Sequence, residues 1–211
     1  MNRIHEFLSN ITADELINLY NEKGYPISEK PFYPNFFGVR SNDDIPNKFD
    51  DVVGVFFLTE DGGYEVRMYD ATTDPGLYWL KNPLNNLGTA ILKPGSYRSY
   101  KLGKHQGKYD AIVQQGGEVT VYRDGNRDSD LNKEDASGGE DSGYFGINIH
   151  RANAAGTSVQ IDKWSAGCQV VANYKDFDDL LQTAKKAAGM YGSNSIFRYS
   201  LFVEDDFANH A

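Results

Sequence analysis

Hydrophobic and polar positions along this chain alternate mostly with the period of a strand, and fall into a helical period in two places. Thr12 and Glu15 have the spacing of a capping box, and Leu16, Ile17, Leu19 and Tyr20 supply an apolar face before Gly24, so a helix is predicted over 13–23. The second helix runs from Tyr174 to about Ala188 behind an Asn173 cap, with Phe177, Leu180, Leu181 and Ala184 on one face. Between Tyr25 and Asp51, four prolines and scattered aromatics without periodicity predict an extended segment wrapping over a core.

From Val52 the texture is that of strands. Val52–Leu58 is β-branched and aromatic, Asp61-Gly62-Gly63 is a turn, and Tyr64–Tyr69 alternates, which predicts a hairpin. Thr89–Leu92 and Tyr97–Tyr100 are short candidate strands. A second hairpin is predicted from Tyr109–Gln114, a Gly116-Gly117 turn and Val119–Tyr122. An acidic loop over 123–143, a strand over Phe145–His150 and a last strand over Ile196–Glu204 complete the series. Many short strands, two helices and no βαβ rhythm imply a mainly β fold, sandwich-like or barrel-like, with peripheral helices.

Composition narrows the classes. The 211 residues are 40% hydrophobic, enough for one domain with a sizeable core. A net charge of −9 removes any non-specific attraction to nucleic acid or an anionic membrane. No run of apolar residues is long enough to span a bilayer, so no membrane insertion is expected. The first residues lack the apolar core of a signal peptide, so the chain is expected to be cytoplasmic as synthesised. A single cysteine excludes an intramolecular disulfide.

That cysteine, Cys168, follows Ser165-Ala166-Gly167, and His150 stands eighteen positions before it. Alternation puts Phe145, Ile147 and Ile149 on a core face and Asn148 and His150 on the polar one. A lone cysteine is most often an inert buried hydrophobe, and a lone histidine a structural one. Small residues before Cys168, however, let backbone N–H groups approach a substrate carbonyl. A histidine on a nearby strand would draw off the thiol proton and later protonate a leaving amine. Such an activated thiol is expected to alkylate faster than free cysteine at mildly acidic pH.

The pattern of strand-borne His150, a spacer, then Ser165-x-Gly167-Cys168 resembles the L,D-transpeptidase catalytic domain of bacterial cell-wall enzymes. The wider wording, ATTDPGLYWL, GTAILKPGSY, GINIHRA and WSAGCQV, is similar to L,D-transpeptidase-like proteins of bacteriophage and prophage genomes. Two departures stand in the motif. Ala166 replaces the family histidine before the Gly-Cys pair, and Gln169-Val170 reverses the hydrophobic-then-polar order after it.

The resemblance implies an L,D-transpeptidase-type β fold over 51–211, with 1–50 as an N-terminal helix and wrapping segment. It implies Cys168 as nucleophile, His150 as base and Gly167 with Ser165 around the oxyanion. Asn148, Arg151, Trp164 and His105 are candidates for contacting substrate. The implied partner is the peptide stem of peptidoglycan, and no cofactor is required. For a lysin released through membrane holes, hydrolysis is the favoured outcome. Cross-link formation, or a non-catalytic structural protein retaining the fold, are the alternatives. Nothing in the sequence sets an oligomeric state.

A second constellation lies in the acidic loop. Asp124, Asn126, Asp128 and Asp130, with Asn132 and Asp135 beyond, have the alternating oxygen ligands of a calcium loop. Ser129 stands where such loops carry glycine, and a solvated acidic loop is the plain alternative.

Overall fold

In the computed structural model, which describes residues 1–43 and 45–208, the chain is mainly β, with two sheets and few helices. It opens with α1 (Arg3–Phe7) and α2 (Ala13–Glu22), then β1 (Asn35–Arg40), β2 (Asp51–Leu58) and β3 (Tyr64–Thr72). After α3 (Leu77–Lys81) come β4 (Thr89–Leu92), β5 (Gly95–His105), β6 (Tyr109–Gln114) and β7 (Val119–Asp124). The chain ends with β8 (Glu140–Gly143), β9 (Ile149–Arg151), β10 (Gln169–Val171), α4 (Tyr174–Tyr191) and β11 (Phe197–Val203). Eight strands close a barrel in the order β1-β11-β5-β6-β9-β10-β3-β2, and β4-β7-β8 form a separate sheet. No helix among the described residues is long and apolar enough to cross a membrane.

Period-two burial explains how β2 serves two cores. Val53, Val55 and Phe57 face the barrel interior with Phe36, Tyr100, Ile112, Ile149 and Val171. Val52 and Phe56 face outward and are covered by Leu16, Leu19 and Tyr20 of α2 and Ile4 of α1. The helix caps are as expected. The Thr12 hydroxyl takes the Glu15 N–H at 3.2 Å while the Glu15 carboxylate takes the Thr12 N–H at 2.7 Å. Asn173 accepts from the Lys175 N–H at 2.8 Å, and α4 runs three residues past the expected end.

Two expectations are corrected. The segment 25–51 is not only a wrap: β1 lies inside it, paired parallel to β11 and antiparallel to β2. The second predicted hairpin does not form. β6 pairs with β5 and β9, whereas β7 pairs with β4 and β8 in the other sheet. Alternation fixes which face of a strand is apolar but not which neighbour it finds. The actual turn lies at Gln106-Gly107, both with positive φ (50° and 72°), and so β5 extends to His105. The acidic loop likewise ends in a strand, β8.

Candidate active site

Cys168 and His150 meet where β9 and β10 run parallel, with Gln169 opposite Ile149 and Val170 opposite His150. The segment 144–148 is not a regular strand, because Gly146 turns to a φ of 70°. Its alternation survives, with Ile147 buried and Tyr144 exposed. Gln114 holds this segment: its Oε1 takes the N–H groups of Phe145 and Ile147 at 3.0 and 3.1 Å. No local signal in the sequence marks that role, since the two partners lie about thirty residues away.

The turn before Cys168 is locked. Ser165 Oγ donates to Cys168 O at 2.8 Å and accepts the Gly167 N–H at 3.1 Å. Gly167 has a φ of 119°, and a Cβ there would lie 2.4 Å from the carbonyl oxygen of Ala90. Glycine is therefore obligatory. The Gly167 amide is committed to Ser165, so these two residues shape the turn instead of offering that N–H to an oxyanion. Below the thiol, Gln169 is fully buried and accepts from the Tyr199 hydroxyl at 2.8 Å.

His150 does not stand on an open polar face; it is 2% exposed. Its Nδ1 lies 2.7 Å from Arg151 O and 3.2 Å from the Tyr109 hydroxyl. A carbonyl can only accept, so Nδ1 carries the proton and Nε2 is a bare lone pair, buried without a partner. The His105 ring stacks on His150 at 3.9 Å. His105 closes β5 and is itself buried, with Nδ1 3.1 Å from Asn148 Nδ2. A ring nitrogen of each histidine and Cys168 Sγ all lie within 4.8 Å of one another. Two imidazoles and a thiol are also a soft donor set, and a metal there would occupy both the Cys168 thiol and the His150 imidazole.

The resting charges are set by burial. Desolvation lowers His150 to about 3, helped by His105, and lifts the Cys168 thiol to about 11. The resting pair is therefore neutral thiol and neutral imidazole. These shifts run against fast alkylation at mildly acidic pH, because no imidazolium stands by to hold a thiolate.

The remaining candidates divide. Asn148 is a positioning residue: its Oδ1 takes the Gln114 N–H at 2.9 Å and its Nδ2 meets His105. The Arg151 guanidinium lies 4.3 Å over the Tyr109 ring. Trp164 is 43% exposed and borders a surface hollow with Tyr78, Asp162 and Lys163. A groove of about 200 Å³ is lined by Ala166, Ala90, Phe145, Trp79 and Arg123, so it reaches the turn that carries Cys168. Arg123 is held by Asp141 at 2.9 Å and lies 4.3 Å over the Phe145 ring. Sequence reasoning placed neither Phe145 nor Trp79 there. Ala166, with its small side chain, leaves the groove its width.

Comparison with known proteins adds no relative: no family model, no curated protein and no solved structure matches this chain.

Proposed function

We propose that the chain is a cysteine-dependent enzyme of the L,D-transpeptidase type acting on peptidoglycan peptide stems, with water as the final acceptor. The observation that carries the reading is His150, whose Nε2 is buried and unpartnered, in one small cluster with Cys168 beside a groove. A lone pair kept dry and bare has no structural use there, whereas a general base needs one.

Attack begins as Sγ forms a bond to the stem carbonyl carbon and its proton moves to Nε2. The imidazolium, held through Nδ1 by Arg151 O, then gives that proton to the departing amine as the C–N bond breaks. A thioester remains. Water adds to it with His150 again taking a proton, and Sγ leaves and is reprotonated. A stem amine in place of water gives a cross-link by the same first half.

Purified peptidoglycan incubated with the protein, followed by mass spectrometry of the muropeptides, is the test. Shortened stems or opened cross-links are expected, and they should be absent with Cys168→Ala. Equal digestion by that variant would sink the proposal, and newly made cross-links would reassign the acceptor.

A further inference from the structure

We propose that the loop joining β7 to β8 is a calcium site, with Asp124, Asn126, Asp128 and Asp130 as its principal ligands. The observation that points to a ligand is Asp124. It ends β7 at 1% exposure, and its Oδ1 is buried with no hydrogen-bond partner. Its Oδ2 takes the Asn132 N–H at 3.1 Å from across the loop, so the carboxylate faces inward. A buried carboxylate oxygen without a donor is unfavourable by several kcal/mol unless a cation or water meets it. A divalent ion would give that oxygen its partner.

Alternate positions place further oxygens along the same loop. Asn126 Nδ2 stands 2.7 Å from both Asp128 Oδ2 and Asn132 Oδ1. One donor thus bridges two oxygens that an ion would share, while Asn126 Oδ1 takes the Asp128 N–H at 3.2 Å and holds the loop in place. Among the described residues these carboxylates do not gather in threes within 4.8 Å, so the ion would draw the exposed Asp128 and Asp130 inward. An all-oxygen donor set selects a hard cation, and the irregular spacing suits calcium better than magnesium's strict octahedron. Ser129 occupies the usual glycine position, and the left-handed turn is made earlier, by Arg127 at φ 63°. Without the bidentate glutamate of a sensor loop, the expected dissociation constant is about 10⁻⁴–10⁻³ M.

The site has a structural consequence. The Arg123 backbone receives from Gly138 and donates to Gly139, both at 2.8 Å, tying the loop to the strand that sets the groove wall. The experiment uses the full chain, with thermal unfolding in EGTA, in CaCl₂ and in MgCl₂, and terbium luminescence sensitised by Tyr122. At tenfold excess of ion over its dissociation constant, calcium should raise Tm by about 3–5 °C, given the usual shift per kcal/mol for a chain of this size. Magnesium should not. Calcium should also displace terbium, Asp128→Asn should weaken calcium binding by about tenfold or more, and Asp124→Asn should abolish the shift. Cys168→Ala should keep it, which separates this proposal from the catalytic one. A calcium shift no larger than that of magnesium, or one retained in both Asp124→Asn and Asp128→Asn, would overturn the site and leave water on Oδ1.

Discussion

The neutral resting pair makes a prediction that separates two ways of running cysteine chemistry. The perturbation is pH, read by alkylation of the single thiol with iodoacetamide. A thiol near 11 carries, around pH 7, roughly a hundredth of the thiolate of an ordinary cysteine. The more basic thiolate is intrinsically the better nucleophile, and a Brønsted slope of about 0.4–0.5 returns roughly a factor of ten. Cys168 should therefore react about tenfold more slowly than free cysteine at pH 7, and its rate should climb about tenfold per pH unit from pH 6 to 9. His150, lowered to about 3, is neutral over that whole range and exerts no positive field on the thiol. His150→Ala should thus leave alkylation within about twofold of the parent while removing turnover of peptidoglycan. A rate plateau below pH 7 that disappears in His150→Ala would show a preformed thiolate–imidazolium pair and refute this account of the resting site. Digestion of peptidoglycan, by contrast, reads the substrate-loaded state, so the two assays fail independently.

Other outcomes follow from single positions. Gly167→Ala meets the Ala90 carbonyl at 2.4 Å with a φ of 119°, and should destabilise the fold by about 2–4 kcal/mol in denaturant melts, with loss of activity. Tyr199→Phe strips the buried Gln169 Oε1 of its donor and should lower stability by about 1–3 kcal/mol. Asp50 carries a pH signature. Burial, then the negative charge of Asp51, raises its carboxyl to about 7 from the ordinary 3.8. The folded chain binds that proton more tightly than the unfolded one, so the stabilisation is complete below about 4 and is lost as pH rises towards 7. Asp50→Asn should accordingly raise Tm above that of the parent at pH 8, and the gap should close as pH falls to 4. An unchanged gap between those two pH values would contradict the burial of that carboxylate.

The two long helices, α2 and α4, and most strands were legible because their signals are local, whereas the five-residue α1 and α3 carry too short a pattern to stand out. The Thr12–Glu15 capping box, the face of α4 and the alternation in β2 and β3 each fall within a few residues. Pairing was not local. Val119–Tyr122 alternates whether it folds back on β6 or joins β4, and the choice rests on distant partners such as the Ser99 carbonyl, which takes the Gly116 N–H at 2.8 Å. The same limit governed the candidate site. Spacing and residue type brought forward Cys168, His150, Gly167 and Ser165, and the fold places all four in one cluster and the turn beside it. What spacing carries no information about is solvation. His150 reads as polar-face because it alternates with Ile149, yet the His105 ring from the far end of β5 covers it. That stacking keeps water from His150, and under the proposed function the loss of water would replace a standing ion pair with proton transfer during attack. His105 thus sets the solvation of His150, and a smaller side chain there should let water reach Nε2. His105→Ala should therefore raise the His150 pKa, readable as an imidazole titration by NMR that the parent lacks above pH 5.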